Sequence, residues 1–459
     1  MISLSQLKTS IKARIASYYD TSFYQHRQRL NVDLLDSMGH VLAEDITAPF
    51  DVPRQNLSSM DGFAIAQNSS LAEGEQIEII GESQAGQPFQ LTNQQQLQTG
   101  QGVRIFTGAI VPEGCDTVVI QENTNFEQLK NPDPQADKNS QQVLDKSKPY
   151  HITLSQTAKA NANIRKQGDE IELGDVVLNK GKLLNPTDIS LLANLGIAQV
   201  QIYQPLVVGL LATGDELVAL GQPLTSLAQI YNSNTPTLKA LLSKLPISIK
   251  DYGILKDDLS EIEQCLITAS QECDVLISSA GVSVGDYDFL TTAIEKLGKI
   301  NHYKVAMKPG KPFVFGELQG KKQNPLQADK SPQDNNTVFY FGLPGNPLSA
   351  VVSCLQLVMP ALWQMSGVAE DDLPLTLTLT LKATVNNDIK KSAGRLDFQR
   401  GVLTQLTDGS YQVTALASQQ SHRIKQLSNA NCLIVLDEDS GNVQAGETVN
   451  VQPFTWRLG

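Results

Sequence analysis

Apolar residues change their spacing several times along this chain, and each change marks a different kind of element. Over residues 1–55 they fall at helical intervals, then give way to Ala48-Pro49-Phe50-Asp51-Val52-Pro53, where each proline pushes its predecessor out of the helical region. Between Ser58 and about Arg165 the runs shorten to β-like stretches at Gln76 to Ile80, Gly102 to Phe106 and Thr117 to Gln121, separated by Gly and Pro turns. From Leu206 to about Gly367, apolar runs suited to strands buried on both faces alternate with helical spacing. The runs are Leu206 to Leu211, Ile247 to Tyr252, Asp274 to Ser279, Tyr303 to Met307 and Val338 to Phe341. Leu238, Leu241, Leu242 and Leu245 share one helical face after Asn234-Thr235-Pro236, read as a cap and a first-turn proline. Ser260 with Glu263 forms a capping-box pattern, and Phe289 or Leu290, Ile294 and Leu297 mark a third helix. Strand-like alternation returns in Leu375 to Leu381, followed by turns at Asp408-Gly409 and Gly441-Asn442.

These elements predict a small β domain, then an open, doubly wound α/β domain, then a C-terminal β domain. At 459 residues the chain exceeds what one hydrophobic core supports, and ~100 to 200 residues per domain gives three or four domains. The polar stretches 131–149 and 320–337 carry too few apolar residues to pack and read as exposed loops.

The net charge of -12 argues against broad affinity for nucleic acid or an anionic membrane. No apolar stretch is read as reaching the ~18 to 20 residues of a membrane span, and the N-terminus lacks a secretory pattern, so a cytoplasmic location is expected. Cys115, Cys265, Cys273, Cys354 and Cys432 are scattered and form no Cys-x-x-Cys pair, which predicts reduced, mostly buried thiols. The histidines are equally dispersed, so imidazole ligation of a transition metal is not expected.

Ligands of doubly wound sheets bind beyond the carboxyl ends of the strands, so the residues there carry the candidate chemistry. Gly214-Asp215-Glu216 follows the first strand, Asp257 and Asp258 the second, and Asp286 and Asp288 the third. Acids from separate strand ends can converge on Mg²⁺, although each can equally cap a helix. The loop Ser278 to Asp288 is rich in small residues and leaves backbone N–H groups uncovered for an anion, or else is only a tight strand-to-helix turn. Lys304, Lys308 and Lys311 surround a Pro-Gly turn and form a candidate oxyanion trap. Gly342-Leu343-Pro344-Gly345-Asn346-Pro347 precedes a long apolar helix, with Asn346 as its cap and Pro347 in its first turn.

In order along the chain, Ser59-Met60-Asp61-Gly62-Phe63-Ala64, Thr107-Gly108-Ala109, Arg165-Lys166-Gln167-Gly168-Asp169, Thr213 to Glu216, Ser278 to Asp288, Lys308-Pro309-Gly310-Lys311-Pro312, Gly342 to Pro347 and Gly394 to Arg400 complete a set of motifs. Together they make the chain resemble the molybdopterin molybdenumtransferases, the family of bacterial MoeA and the gephyrin E domain, over nearly its full length. The resemblance implies four domains: a discontinuous, elongated N-terminal domain (1–55 plus 166–203), an inserted β domain (56–165), a molybdopterin-binding α/β domain (204–368) and a C-terminal β-barrel domain (369–459). It further implies a homodimer with a composite cleft, and a Mg²⁺-dependent reaction in which adenylylated molybdopterin and molybdate give molybdenum cofactor and AMP. Glu216, Asp257 and Asp288 would surround the phosphates and the metal, while Asp61 and Thr107 would come from the second subunit. Gly214, Asp215, Ser278, Gly281, Val282, Ser283 and Pro344 to Pro347 would line the substrate. Lys304, Lys308, Lys311, Arg395 and Ser421 would hold molybdate or the pterin.

Three positions depart from the family's pattern. Ala280 replaces the usual second glycine of Ser-Ser-Gly-Gly and is expected to keep a negative φ; Asn232-Ser233-Asn234 is a mild variation; Gln420 stands where glycine is common before Ser421. Two rival functions are an adenylyltransferase, the enzyme that would also be the partner supplying the substrate, and a non-catalytic molybdopterin-binding scaffold.

Overall fold

A computed structural model of the chain describes all residues except 20–22, 25–26, 68–69, 92–96, 132–143, 145–147, 281–288, 321–336, 378, 455 and 457–459. Most of the two polar stretches, 131–149 and 320–337, therefore lies outside the described residues. The chain forms two compact units, Asp45–Asn179 on its own and Met1–Glu44 together with Lys180–Gly459.

The Asp45–Asn179 unit is built on a five-stranded sheet in the order Thr117–Ile120, Gly62–Ile65, Gln101–Ile105, Gln76–Ser83, Tyr150–Thr153. Its core gathers Phe63, Ile65, Ile77, Ile79, Phe126 and Ile152, all essentially inaccessible to water. All three strands expected from the pattern are present, and Gly62–Ile65 is an addition between Thr117–Ile120 and Gln101–Ile105. That strand is buried on both faces, so it lacks the alternation that identifies a half-exposed strand.

In the larger unit the central sheet consists of β1 (Leu206–Thr213), β2 (Ile247–Leu255), β3 (Val275–Ser279), β4 (Gly298–Lys304), β5 (Pro312–Gln319) and β6 (Thr337–Leu343). Their order is β2-β1-β3-β6-β5-β4; the first four are mutually parallel, while β5 runs antiparallel to both β6 and β4. Helices α1 (Asn234–Leu242), α2 (Leu259–Glu272) and α3 (Phe289–Leu297) link successive strands. The period-two alternation of strand side chains then sorts the core. Val208, Leu210, Val275, Ile277, Phe339 and Phe341 share one core with Leu238 and Leu242 of α1, whereas Leu211, Leu276 and Tyr340 share a second with Ile262 and Leu266 of α2 and Leu290 and Ile294 of α3. Both faces are covered, as a doubly wound sheet requires.

The strand expected at Tyr303 to Met307 is split in the structure. Gly298–Lys304 forms β4 at the sheet edge, whereas Met307–Lys308 leaves the sheet and pairs with the C-terminal domain. Strand β5 had no counterpart in the pattern, because its proline start and the Gly-Lys turn before it resemble a loop.

After β6 a helix runs from Pro347 to Ser366, with π geometry over Cys354–Val358 between regular segments. Contrary to expectation, this helix is long and apolar enough to span a bilayer, but 78% of its most apolar window is buried inside the protein. Within the π turn, Gln356 accepts from Lys8 Nζ at 2.8 Å and donates to Gln452 at 2.8 Å. Burial lowers the Lys8 ammonium below its ordinary pKa.

The C-terminal strands Leu381–Val385, Leu396–Gln405, Tyr411–Ala415, Cys432–Leu436 and Thr448–Pro453 close into a five-stranded barrel through pairing of the second with the fourth. Here the pattern was misleading at its start. Leu375–Leu377 is a 3-10 turn with Leu375 83% exposed, and the strand begins only at Leu381. Alternation sufficient for a strand has no effect without a neighbouring strand to receive its backbone bonds.

Candidate active site

Parallel pairing aligns the carboxyl ends of β2, β1, β3 and β6 along one edge of the sheet. Leu255 pairs with Thr213, Ala212 with Ser279, and Ser279 with Leu343. Two reversals through β5 return the carboxyl end of β4 to this same edge, where Lys304 pairs with Pro312. The candidate residues therefore lie in a row: Asp257, then Gly214 to Glu216, then Ala280, then Pro344 to Asn346, then Lys311 and Lys304.

At the acidic end, Gly214 adopts φ +139°, and a β-carbon there would lie 2.6 Å from Glu216 Oε2. Glycine thus lets the Glu216 carboxylate fold back over the backbone turn. Asp215 Oδ1 accepts the amide of Asp257 at 3.3 Å, tying the two strand ends together. Asp215, Glu216 and Asp257 are exposed carboxylates in this turn. Asp258 has the helix-capping role: its Oδ1 accepts from Glu261 N at 2.9 Å, so the cap lies two residues before the expected Ser260–Glu263 box. No group of three or more His, Cys, Asp or Glu able to hold a metal occurs among the described residues. Asp288, the third proposed ligand, lies outside them, as do Gly281, Val282, Ser283 and Asp286.

Ser278 is completely buried, its hydroxyl bonded to Tyr340 at 2.5 Å and to the carbonyl of Ala280 at 3.1 Å, so its side chain fixes the end of β3. Ala280 adopts φ +91°, not the negative value expected for it. Its amide donates to the carbonyl of Leu343 at 3.0 Å, and this extension of the β3–β6 ladder holds the residue in a glycine-like conformation.

Asn346 occupies the N-cap position with extended backbone, and Pro347 starts the helix, but the Asn346 side chain makes no capping bond. The helix start is thus left to other partners. The cap expected at Asn234 is also reassigned. Asn232 accepts from Thr235 N at 3.2 Å, which frees Asn234 to donate to the carbonyl of Gly345 at 2.8 Å. Sequence reasoning missed this link between α1 and the Pro344–Asn346 loop, which Asn234 makes through its Nδ2 while its Oδ1 is buried without a partner.

At the basic end a cavity of about 680 Å³ is lined by Tyr303, Lys304, Lys311, Pro344, Gly345 and Asn346, among others. Lys308 stands on the short strand paired to the barrel, its ammonium 3.3 Å from Asp397. Arg395 and Ser421 are half-buried on the barrel. The loop carrying Ser421 is secured by Arg400, a fully buried residue that donates to the carbonyls of Ser418 at 2.9 Å and Arg423 at 3.1 Å. Burial holds this guanidinium below its ordinary pKa.

In the Asp45–Asn179 unit, Asp61 and Thr107 meet although they are distant in sequence. Asp61 Oδ1 accepts the Thr107 amide at 2.8 Å and its hydroxyl at 2.9 Å. These bonds to the charged form hold the Asp61 carboxyl below its usual range.

The sequence matches three family models: the MoeA N-terminal region (domain I and II) over residues 2–196, the probable molybdopterin binding domain over 209–364, and the MoeA C-terminal region (domain IV) over 382–454. The molybdopterin molybdenumtransferase of Haemophilus influenzae is 39% identical over 428 residues, covering 93% of this chain and 94% of that protein. That of Staphylococcus aureus is 31% identical over 427 residues, covering 92% and 90%. A crystal structure of the molybdopterin biosynthesis MoeA protein from Pyrococcus horikoshii shares the fold, with a TM-score of 0.69, 23% identity and coverage of 99% and 100%. By these matches, which span both units and every motif described above, the chain belongs to the molybdopterin molybdenumtransferase (MoeA) family of molybdenum cofactor biosynthesis enzymes.

Proposed function

We propose that this enzyme inserts molybdate into adenylylated molybdopterin, releasing AMP and molybdenum cofactor, with Mg²⁺ at the acidic end of the site. The observation that carries the reading is the polarity of the sheet edge, with carboxylates beyond β1 and β2 and lysines beside β4 and β5. Neighbouring strands lie ~4.8 Å apart, so the four steps from β1 to β4 span about 19 Å. An extended ligand with phosphates at one end and a dithiolene at the other suits a site divided in this way.

Glu216 and Asp257 offer hard oxygen donors in low number, which fits an ion that retains waters and takes phosphate oxygens alongside one or two carboxylates. With Asp288 they would hold Mg²⁺, and the chemistry supplied by the bound ion is polarisation of the phosphoric anhydride. Lys304, Lys308, Lys311, Arg395 and Ser421 would attract and orient the molybdate dianion and the pterin. The loop through Gly281, Val282 and Ser283 and the helix start at Asn346-Pro347 would supply backbone N–H groups to anionic oxygens. Asp61 and Thr107 would act from the second copy of a homodimer. The protein would work in the cytoplasm on substrate delivered by a molybdopterin adenylyltransferase.

The direct test supplies purified protein with adenylylated molybdopterin, molybdate and Mg²⁺, then measures AMP release and reconstitution of an apo-molybdoenzyme. Molybdate-dependent release with reconstitution supports insertion, whereas adenylylation from ATP, or inactivity in both assays, overturns it. Asp61→Ala and Asp288→Ala should each abolish activity with the fold intact. Mixed dimers of the two should regain part of it, and hybrids with none would remove the composite site.

A further inference from the structure

The Lys308 side chain raises a question that the anion site does not answer. A lysine at the mouth of a trap would be expected to extend freely into solvent, yet this one lies against Asp397, whose side chain is only 5% exposed. Asp397 Oδ2 accepts from Lys308 Nζ at 3.3 Å and from Gln399 Nε2 at 3.2 Å. The backbones are fixed as well. Met307–Lys308 runs parallel to Leu396–Asp397 with Lys308 registered on Asp397, and Leu396 N donates to the carbonyl of Ala306 at 2.9 Å. A buried carboxylate is costly unless a cation and further donors satisfy it, so Asp397 constrains the ammonium as firmly as the ammonium stabilises Asp397.

We propose that Asp397 is a positioning residue of the anion site, acting through Lys308. It holds the ammonium in one place on the barrel side of the basic turn, while the Lys308 side chain remains 46% exposed. Lysine ordinarily loses much rotamer freedom when it binds a point anion, and a pre-set ammonium has already lost it. The barrel thereby contributes to binding through a residue that never touches the substrate. This proposal rests on the reading of the basic turn as the molybdate site.

The test is a double-mutant cycle on the full-length protein, with Asp397→Asn, Lys308→Met and the pair. Direct calorimetric titration with molybdate and steady-state kinetics provide the two readouts. Asp397→Asn should weaken molybdate binding about fivefold and raise KM for molybdate more than it lowers kcat. In the Lys308→Met background it should have no further effect. Additive losses in the pair, or equal effects of Asp397→Asn on KM and kcat, would overturn the positioning role. A wild-type protein that binds no molybdate would overturn the underlying reading instead, which keeps the two failures distinct. Should Asp397→Asn fail to fold, amine labelling of the wild type replaces it. Lys308 should label more slowly than Lys304 and Lys311, and equal rates refute the constraint.

Discussion

Ala280→Gly should stabilise the protein. A non-glycine residue in the left-handed region bears a penalty of roughly 1–2 kcal/mol, and Ala280 is held there, at φ +91°, by its ladder bond to Leu343. Glycine removes this penalty but gives back about 0.4–1 kcal/mol through the greater freedom of the unfolded chain. The methyl contributes little packing toward Gly345, since it lies 3.9 Å from where a β-carbon on that residue would be. The balance is a gain of about 0.5–1 kcal/mol, or an upward shift of ~1–4 °C in the unfolding midpoint of a domain of this size. Differential scanning calorimetry of the wild type, Ala280→Gly and Ala280→Val measures it, because a β-branched residue should be worse than alanine at the same φ. A glycine variant that melts lower than wild type, or a valine variant that melts higher, would refute the strain argument.

Other consequences follow from the same geometry. On the proposed role of Glu216 as a Mg²⁺ ligand, Gly214→Ala should push its carboxylate away and raise the Mg²⁺ concentration needed for half-maximal activity, read from a Mg²⁺ titration. Thr107→Val should raise the Asp61 pKa part of the way to its ordinary value, since the hydroxyl bond is lost and the backbone amide bond stays, followed by NMR titration of the carboxyl. Because the Asp61 value is depressed in the folded state, its stabilising contribution is full above the unfolded value and is lost as pH falls through the folded one. Arg400→Met should cost about 2–3 kcal/mol in urea denaturation, since the carbonyls of Ser418 and Arg423 lose their buried donor.

Most residues of the candidate site could be picked out in the sequence because they cluster at strand ends, and the longer apolar runs of the α/β domain mark those strands. Pairing then brought Glu216, Asp257, Lys304 and Lys311 to one edge, which only a correct strand order can do. What stayed hidden was of another kind. Capping followed from which side chain reached an amide first, so Asn232 took the position that pattern had given to Asn234, while Asp258, one of the acids read as able to cap a helix, does so in place of Ser260. Asp397 and Arg400 look like ordinary strand residues in a motif; their roles exist only because the barrel brings Lys308 and the Ser421 loop within reach. Ala280 was misjudged for the same reason, since its φ is imposed by a neighbour 63 residues away along the chain, counted from 280 to 343.

The π segment at Cys354–Val358 affects how the long helix can change over time. A single wider turn rotates everything beyond it by about 100° relative to an uninterrupted α-helix. The half that begins at Asn346 and the half that ends at Gly367 are therefore packed on independent registers, joined by a turn that stores one surplus residue. Deleting one residue there would merge the registers and turn the Trp363 face away from the core. Descendants of this chain can repack one half of the helix without shifting the register of the other, but they cannot remove that surplus without rebuilding one of the two.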